Sequence, residues 1–173
     1  ENDWSACTTW GVWRDRTGVP RAMLMGAWQA RLEFHPLVEK VIATARRLKA
    51  DMVRIEAKAN GISVAQEIVR LCRAEEFAVH QSQVKGDKVA RAYAVQHMWS
   101  AGVVYAPDKA WADMVIDQMA AFPKGAHDDL VDTATAAVKY LRDSGMLQLV
   151  EEHQDEMRRR TTPTGPEQPP YDV

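Results

Sequence analysis

Two acidic features of this sequence have the residue types and neighbours needed for metal-assisted chemistry. The first is Glu56, which ends the short apolar run Asp51-Met52-Val53-Arg54-Ile55-Glu56. In open α/β sheets ligands bind beyond the carboxyl ends of strands, so a carboxylate placed there can reach a bound cation. The competing reading is a strand end that meets solvent or pairs with Lys58. The second feature is His127-Asp128-Asp129-Leu130-Val131-Asp132, just ahead of an apolar helical stripe. Acids are favoured as caps and in a first turn, yet two in succession after a His exceed what capping requires. Helical phasing sets Asp132 away from the stripe and in solvent, His127 close to it, and Asp128 and Asp129 on either flank. Phase therefore does not choose between the two aspartates. Carboxylates from a strand end and a helix start suit Mg²⁺ or Mn²⁺, which prefer oxygen ligands. Two such ions roughly 4 Å apart activate water and stabilise the leaving oxygen in phosphodiester cleavage.

A third feature is basic, Lys85-Gly86-Asp87-Lys88-Val89-Ala90-Arg91. Lys88 and Arg91 share one face at a helix start, with Lys85 just before it. Phosphates engage such groups together with the helix N-terminus, although a solvated helix start reads the same way. The five histidines show no metal-ligand spacing, and the six tryptophans read as packing rather than base-stacking platforms. There is no Gly-x-Ser-x-Gly, no Gly-x-Gly-x-x-Gly and no phosphate loop ending in Gly-Lys-Ser/Thr. A nucleotide-driven motor is not encoded in these residues.

The elements that must position these groups follow from periodicity. Residues 5–14, rich in Thr, Val and Trp, predict a strand running into the turn Asp15-Arg16-Thr17-Gly18, with residues 21–32 returning antiparallel. From Pro36 the period becomes helical, through Leu37, Val38, Val41, Ile42, Ala45 and Leu48. A buried strand over 51–56 follows, then a helix carrying Ile62, Ala65, Ile68, Val69 and Cys72, and a short strand over 77–81. Residues 87–99 predict a helix and Val103-Val104-Tyr105 a brief strand. Trp111, Met114, Val115 and Met119 mark another helix, and Leu130 to Leu141 the last strong one, ending near Gly145. A hairpin followed by alternating strands and helices predicts an α/β domain with a mixed sheet and helices on its faces. Residues 1–150 form that domain, while 151–173, charged and then Pro-rich, are expected to be a disordered tail.

Composition narrows the class further. A chain of 173 residues fits one domain with a real core. Hydrophobic and charged fractions of 46% and 27% are those of a globular protein. A net charge of −2 does not advertise a nucleic-acid binder, but an enzyme touching DNA along one groove need not be basic overall. Two distant cysteines exclude a disulfide framework and a CxxC zinc site, and point to a reducing, cytoplasmic setting. Neither a membrane span nor a secretory signal is legible.

Six segments, in order, carry a resemblance. They are Asn2-Asp3-Trp4-Ser5-Ala6-Cys7-Thr8-Thr9-Trp10-Gly11-Val12, Arg31–Pro36, Ile55–Gly61, Gly86–Arg91, Ala101–Pro107 and Phe122–Asp132. Together they resemble the C-terminal nuclease domain of tailed-bacteriophage large terminase subunits. The resemblance implies an RNase H-like fold and Mg²⁺- or Mn²⁺-dependent cleavage of concatemeric double-stranded DNA. It also implies an N-terminal ATPase domain in cis, with the portal and the small terminase subunit as partners, at the capsid in the host bacterial cytoplasm. Of the family's acidic positions, Glu56 matches the second and His127-Asp128-Asp129 the third. The implied catalytic and metal-holding set is Glu56, Asp128 and Asp129, with His127 and Lys58 beside them and Lys85, Lys88 and Arg91 toward DNA. The first-strand acid is expected upstream of residue 1, and Asp3 is not assigned its role. The chain alone is therefore expected to bind metal weakly and to cleave poorly. The rival readings are another RNase H-like nuclease, of resolvase or transposase type, and a non-catalytic domain that docks on DNA or the portal.

Overall fold

The computed structural model describes residues 3–58, 60–73, 75–83 and 86–161. Lys85, expected to face DNA, lies outside them, as do residues 162–173 of the expected tail. Strands β1 (Trp4–Arg14) and β2 (Pro20–Arg31) pair antiparallel, from Trp4 opposite Arg31 to Arg14 opposite Pro20. One side chain shapes their turn. Asp15 Oδ1 accepts from the Thr17 N–H at 2.8 Å, the Thr17 hydroxyl at 2.6 Å and the Val19 N–H at 3.1 Å. Its Oδ2 accepts from Arg21 Nε at 2.9 Å. This is the local bonding that makes Asp a turn former, and Gly18 supplies the positive φ of 84°. The register shifts between Thr9 and Trp10, whose partners are Gly26 and Leu24, leaving Met25 as the extra residue of a bulge.

Strand β5 (Val104–Tyr105) joins β2 in parallel, giving a mixed sheet of order β1-β2-β5. Strands β3 (Met52–Glu56) and β4 (Ala78–Ser82) form a separate parallel pair, so the strands divide into two sheets among the described residues. Helix α1 (Phe34–Arg47) holds Pro36 in its first turn, where a missing N–H leaves no helical bond unmade. Its buried Val38, Ile42 and Ala45 pack with Val64 and Ile68 of α2 (Asn60–Leu71) and with Phe77. Val53 and Ile55 of β3 and Val79 of β4 lie against this cluster.

Helices α3 (Lys88–Ser100), α4 (Ala110–Ala121) and α5 (Asp129–Asp143) build the other cores against the first sheet. Leu24, Ala112, Val115, Leu130 and Ala134 form one cluster, flanked by Ala6, Trp10 and Ala27. Ala22, Val95, Met98, Val103, Val138, Leu141 and Leu147 form the other. Strand alternation puts Trp28 on the face opposite Ala27, and there its Nε1 donates to Thr44 Oγ1 of α1 at 3.1 Å. Helix α1 thus lies over the Gly26–Trp28 end of the sheet's other face.

Residues 150–161 depart from the expected disordered tail. They form helix α6 (Val150–Thr161), with Glu151 and Glu152 in the first turn and Arg158, Arg159 and Arg160 in the last. That charge order complements the helix dipole, a signal that low hydrophobicity concealed. Arg142 of α5 pairs with Glu152, and Gln148 Nε2 donates to Glu156 at 3.0 Å. His153, only 9% exposed, packs against the hairpin turn at Gly18. Hydrogen bonds from Arg142 hold the Glu152 carboxyl below the usual carboxylate range against the effect of burial, with help from the Leu149 N–H. A depressed carboxylate pKa contributes stability that is complete above the unfolded value, about 4.3 for Glu, and is lost as pH falls through the folded value. The Tm difference between wild type and Glu152→Gln is therefore expected to be largest near neutrality and to shrink below about pH 4. A difference that stays constant on acidification counts against the pair.

Candidate active site

Glu56 ends β3 opposite Ser82, and the strand pairing continues one step further through the Ala57 N–H, which donates to Ser82 O at 2.9 Å. The chain then turns sharply: the Lys58 N–H donates to Glu56 O at 2.9 Å and the Gly61 N–H to Lys58 O at 2.7 Å. Val53 and Ile55 face α1 and α2, so alternation puts Arg54 and Glu56 on the opposite face. Arg54 confirms this, with its guanidinium 3.8 Å from the Tyr140 ring centroid of α5. Glu56 Oε1 is buried and forms an ion pair with Lys58 Nζ at 2.5 Å.

Of the three aspartates around the start of α5, two share Lys88 and the third is held by an amide. Asp128 occupies the N-cap position without capping; its Oδ2 meets Lys88 Nζ at 2.7 Å. Asp132, expected in solvent, is half-buried, with Oδ2 2.7 Å from Lys88 Nζ and Oδ1 3.2 Å from Arg91. Helix α3 packs along α5 and brings its own first turn to these acids, which phasing of α5 alone does not reveal. Asp129 Oδ2 instead accepts from the neutral amide of Gln29, at 2.7 Å.

The basic helix start differs from its expected role in a definite way. Asp87 caps α3 by accepting from the Ala90 N–H at 2.9 Å, so a carboxylate already holds the helix N-terminus that phosphate was expected to use. Lys88 bridges Asp128 and Asp132. Partial burial works against its charge, but the hydrogen bonds to both acids outweigh that and raise its pKa above the usual lysine value. Arg91 donates to Gly86 O at 2.8 Å as well as to Asp132. His127, expected near the apolar stripe, precedes the helix and is exposed; its ring meets Trp4 edge-on at 5.8 Å, under an Arg31 guanidinium 4.8 Å from that indole. Gln29, Gln118, Arg54 and Tyr140 also shape the site, and no motif marks them in the sequence.

The donor set is of the kind a hard divalent cation takes, carboxylate oxygens, of which those of Glu56 and Asp128 meet lysine ammonium groups and one of Asp129 an amide. The arrangement does not gather Glu56, Asp128 and Asp129, and no group of three His, Cys, Asp or Glu among the described residues comes together to hold an ion. One contact marks where β3 meets α5, the Arg54–Tyr140 stack. It ties β3 to the far half of α5, eleven residues or about 16 Å along the axis from Asp129.

A mixed three-stranded sheet and a parallel strand pair flanked by helices, with acids at the end of β3 and at the start of α5, are consistent with an RNase H-like domain. Residues 1–141 match the family described as Terminase RNaseH-like domain, and the chain belongs to it. A search of the curated proteins found no match. Among the described residues, no helix is long and apolar enough to cross a membrane.

Proposed function

We propose that this domain is the metal-dependent endonuclease of a bacteriophage DNA-packaging terminase, cutting concatemeric double-stranded DNA. The observation that carries the reading is the placement of Glu56 at a strand end, on the face turned to α5, the helix whose start carries Asp128 and Asp129. Glu56, Asp129 and Asp128 would hold Mg²⁺ or Mn²⁺, and His127 and Lys58 stand beside them. The metal supplies positive charge to a polyanionic backbone and lowers the pKa of bound water. Lys88 and Arg91 would then face phosphate while holding the α5 acids. An ATPase domain in cis, the portal, the small terminase subunit and a place at the capsid in the host cytoplasm complete the proposal on family grounds.

One observation favours a second reading, a non-catalytic docking domain: Glu56 and Asp128 each already have a lysine partner, Lys58 and Lys88. Cleavage assays on the full-length protein separate the readings. The nuclease reading expects Mg²⁺- or Mn²⁺-dependent cutting of linear duplex that chelator abolishes, with no preference for a four-way junction. Preference for the junction favours a resolvase, and no cutting under any metal condition favours docking. The same duplex, titrated over a range of salt, tests the basic pair. Lys88→Ala should lower the slope of log K against log salt by about 1 if Lys88 meets phosphate.

A further inference from the structure

We infer that Gln29 and Gln118 are positioning residues for the Asp129 carboxylate, acting through a relay of neutral amides; the inference rests on the proposed role of Asp129. The relay crosses three elements. The Leu130 N–H in the first turn of α5 donates to Gln118 Oε1 of α4 at 3.0 Å. Gln118 Nε2 donates to Gln29 Oε1 of β2 at 2.8 Å. Gln29 Nε2 donates to Asp129 Oδ2 at 2.7 Å.

The direction of this relay is fixed at one end. A backbone N–H only donates, so the Gln118 oxygen must face Leu130 and its NH₂ must face Gln29. Gln29 then turns its oxygen to Gln118 and its NH₂ to the carboxylate. Reversing Gln29 alone opposes two donors at one end and two acceptors at the other. The amide orientations are thus set by the fold, and Asp129 receives a donor whose placement is determined on three sides.

The relay also separates Asp129 from its neighbours. Asp128 and Asp132 share the Lys88 ammonium, whereas among the described residues no cationic side chain pairs with Asp129 and nothing donates to its Oδ1. Fully buried Leu130 and Ala134 on α5, with Leu24 on β2, adjoin the relay and fix the backbone that carries it. A carboxylate held at one oxygen by a fixed neutral donor, with the other oxygen unpartnered, is prepared for an external cation. Residues that orient ligands in this way contribute about 10–100-fold to metal affinity.

The plain alternative is that Gln118 merely caps α5, since Asp128 does not. Gln118→Glu distinguishes the two roles. A carboxylate there still accepts from the Leu130 N–H, so the cap persists, but its other oxygen forces the Gln29 amide to reverse and present oxygen to Asp129. Gln29→Leu removes the donor without touching the cap. Mn²⁺ binding to the full-length protein, measured by calorimetry beside Tm, is expected to weaken about 10-fold or more in both variants. In Gln118→Glu the Tm should stay near wild type. Unchanged Mn²⁺ affinity in both variants, with binding lost in Asp129→Ala, overturns the relay and leaves the proposed function standing. Unchanged Mn²⁺ binding and cleavage in Asp129→Ala itself overturns both.

Discussion

Glu56→Ala and Asp129→Ala, each made in the full-length protein, are expected to slow metal-dependent DNA cleavage roughly a thousandfold while the domain stays folded. The size follows from what a metal does at a phosphoryl centre, where charge stabilisation is worth several kcal/mol and about 1.4 kcal/mol is tenfold in rate. Neither side chain belongs to a packed core. Glu56 is half-exposed and contacts Lys58, and Asp129 makes one hydrogen bond, to Gln29. Asp128→Ala is expected to cost less, because Asp128 is one of two carboxylates sharing Lys88 and the other remains. Single-turnover cleavage with Mn²⁺, beside circular dichroism of each variant, reads all three. Normal cutting by Glu56→Ala would sink the nuclease reading, and a larger loss in Asp128→Ala than in Asp129→Ala would reverse the ranking of the two aspartates.

The second large effect is expected at a residue with no functional group. A Cβ added to Gly61 would lie 2.1 Å from the Glu56 carbonyl oxygen, 3.3 Å from its carbon and 3.4 Å from Ile55 Cγ2. The nearest obstacle is backbone, not the tip of a flexible side chain, and strand pairing holds that backbone in place through the bond from the Ala57 N–H to Ser82 O. Two effects compete in Gly61→Ala. Ala is the better helix former by about 1 kcal/mol, whereas overpacking of this kind costs about 1–3 kcal/mol and occasionally more. With the contact on a paired strand, the clash wins, and a net loss of about 2 kcal/mol is expected to lower Tm by on the order of 4–8 °C at about 2–4 °C per kcal/mol. Cleavage should fall further than stability explains, since a shift of about 1 Å at a reacting group can cost about 100-fold. A variant as stable as wild type would show that β3 and α2 do not approach in this way.

Much of the fold was legible because local pattern decides it. The hairpin with its Asp15 turn, the helical period after Pro36 and the stripe from Leu130 to Leu141 all depend on neighbours in sequence, and each appears within a residue or two of its expected place. Helix α6 was missed because its stability comes from charge order, the Arg142–Glu152 pair and one buried histidine, not from an apolar face. The site was legible in its residue types and not in its partners. Nothing near Asp132 in sequence announces Lys88 and Arg91, which arrive on another helix. Gln29 and Gln118 stand eighty-nine positions apart and meet only because β2 and α4 pack together.

The cluster formed by α1, α2 and the β3–β4 pair shares no residue with the two clusters around α3, α4 and α5, while those two share Trp10 and Trp99. Across the boundary run the Arg54–Tyr140 stack, the Lys40–Trp28 cation–π contact and the Trp28–Thr44 hydrogen bond, contacts worth about 1 kcal/mol each. Glu56 ends a strand beside the first of these clusters, and Asp129 opens the helix that carries the others. The spacing between those carboxylates is therefore set by the contacts that cross between the clusters, not by either core alone.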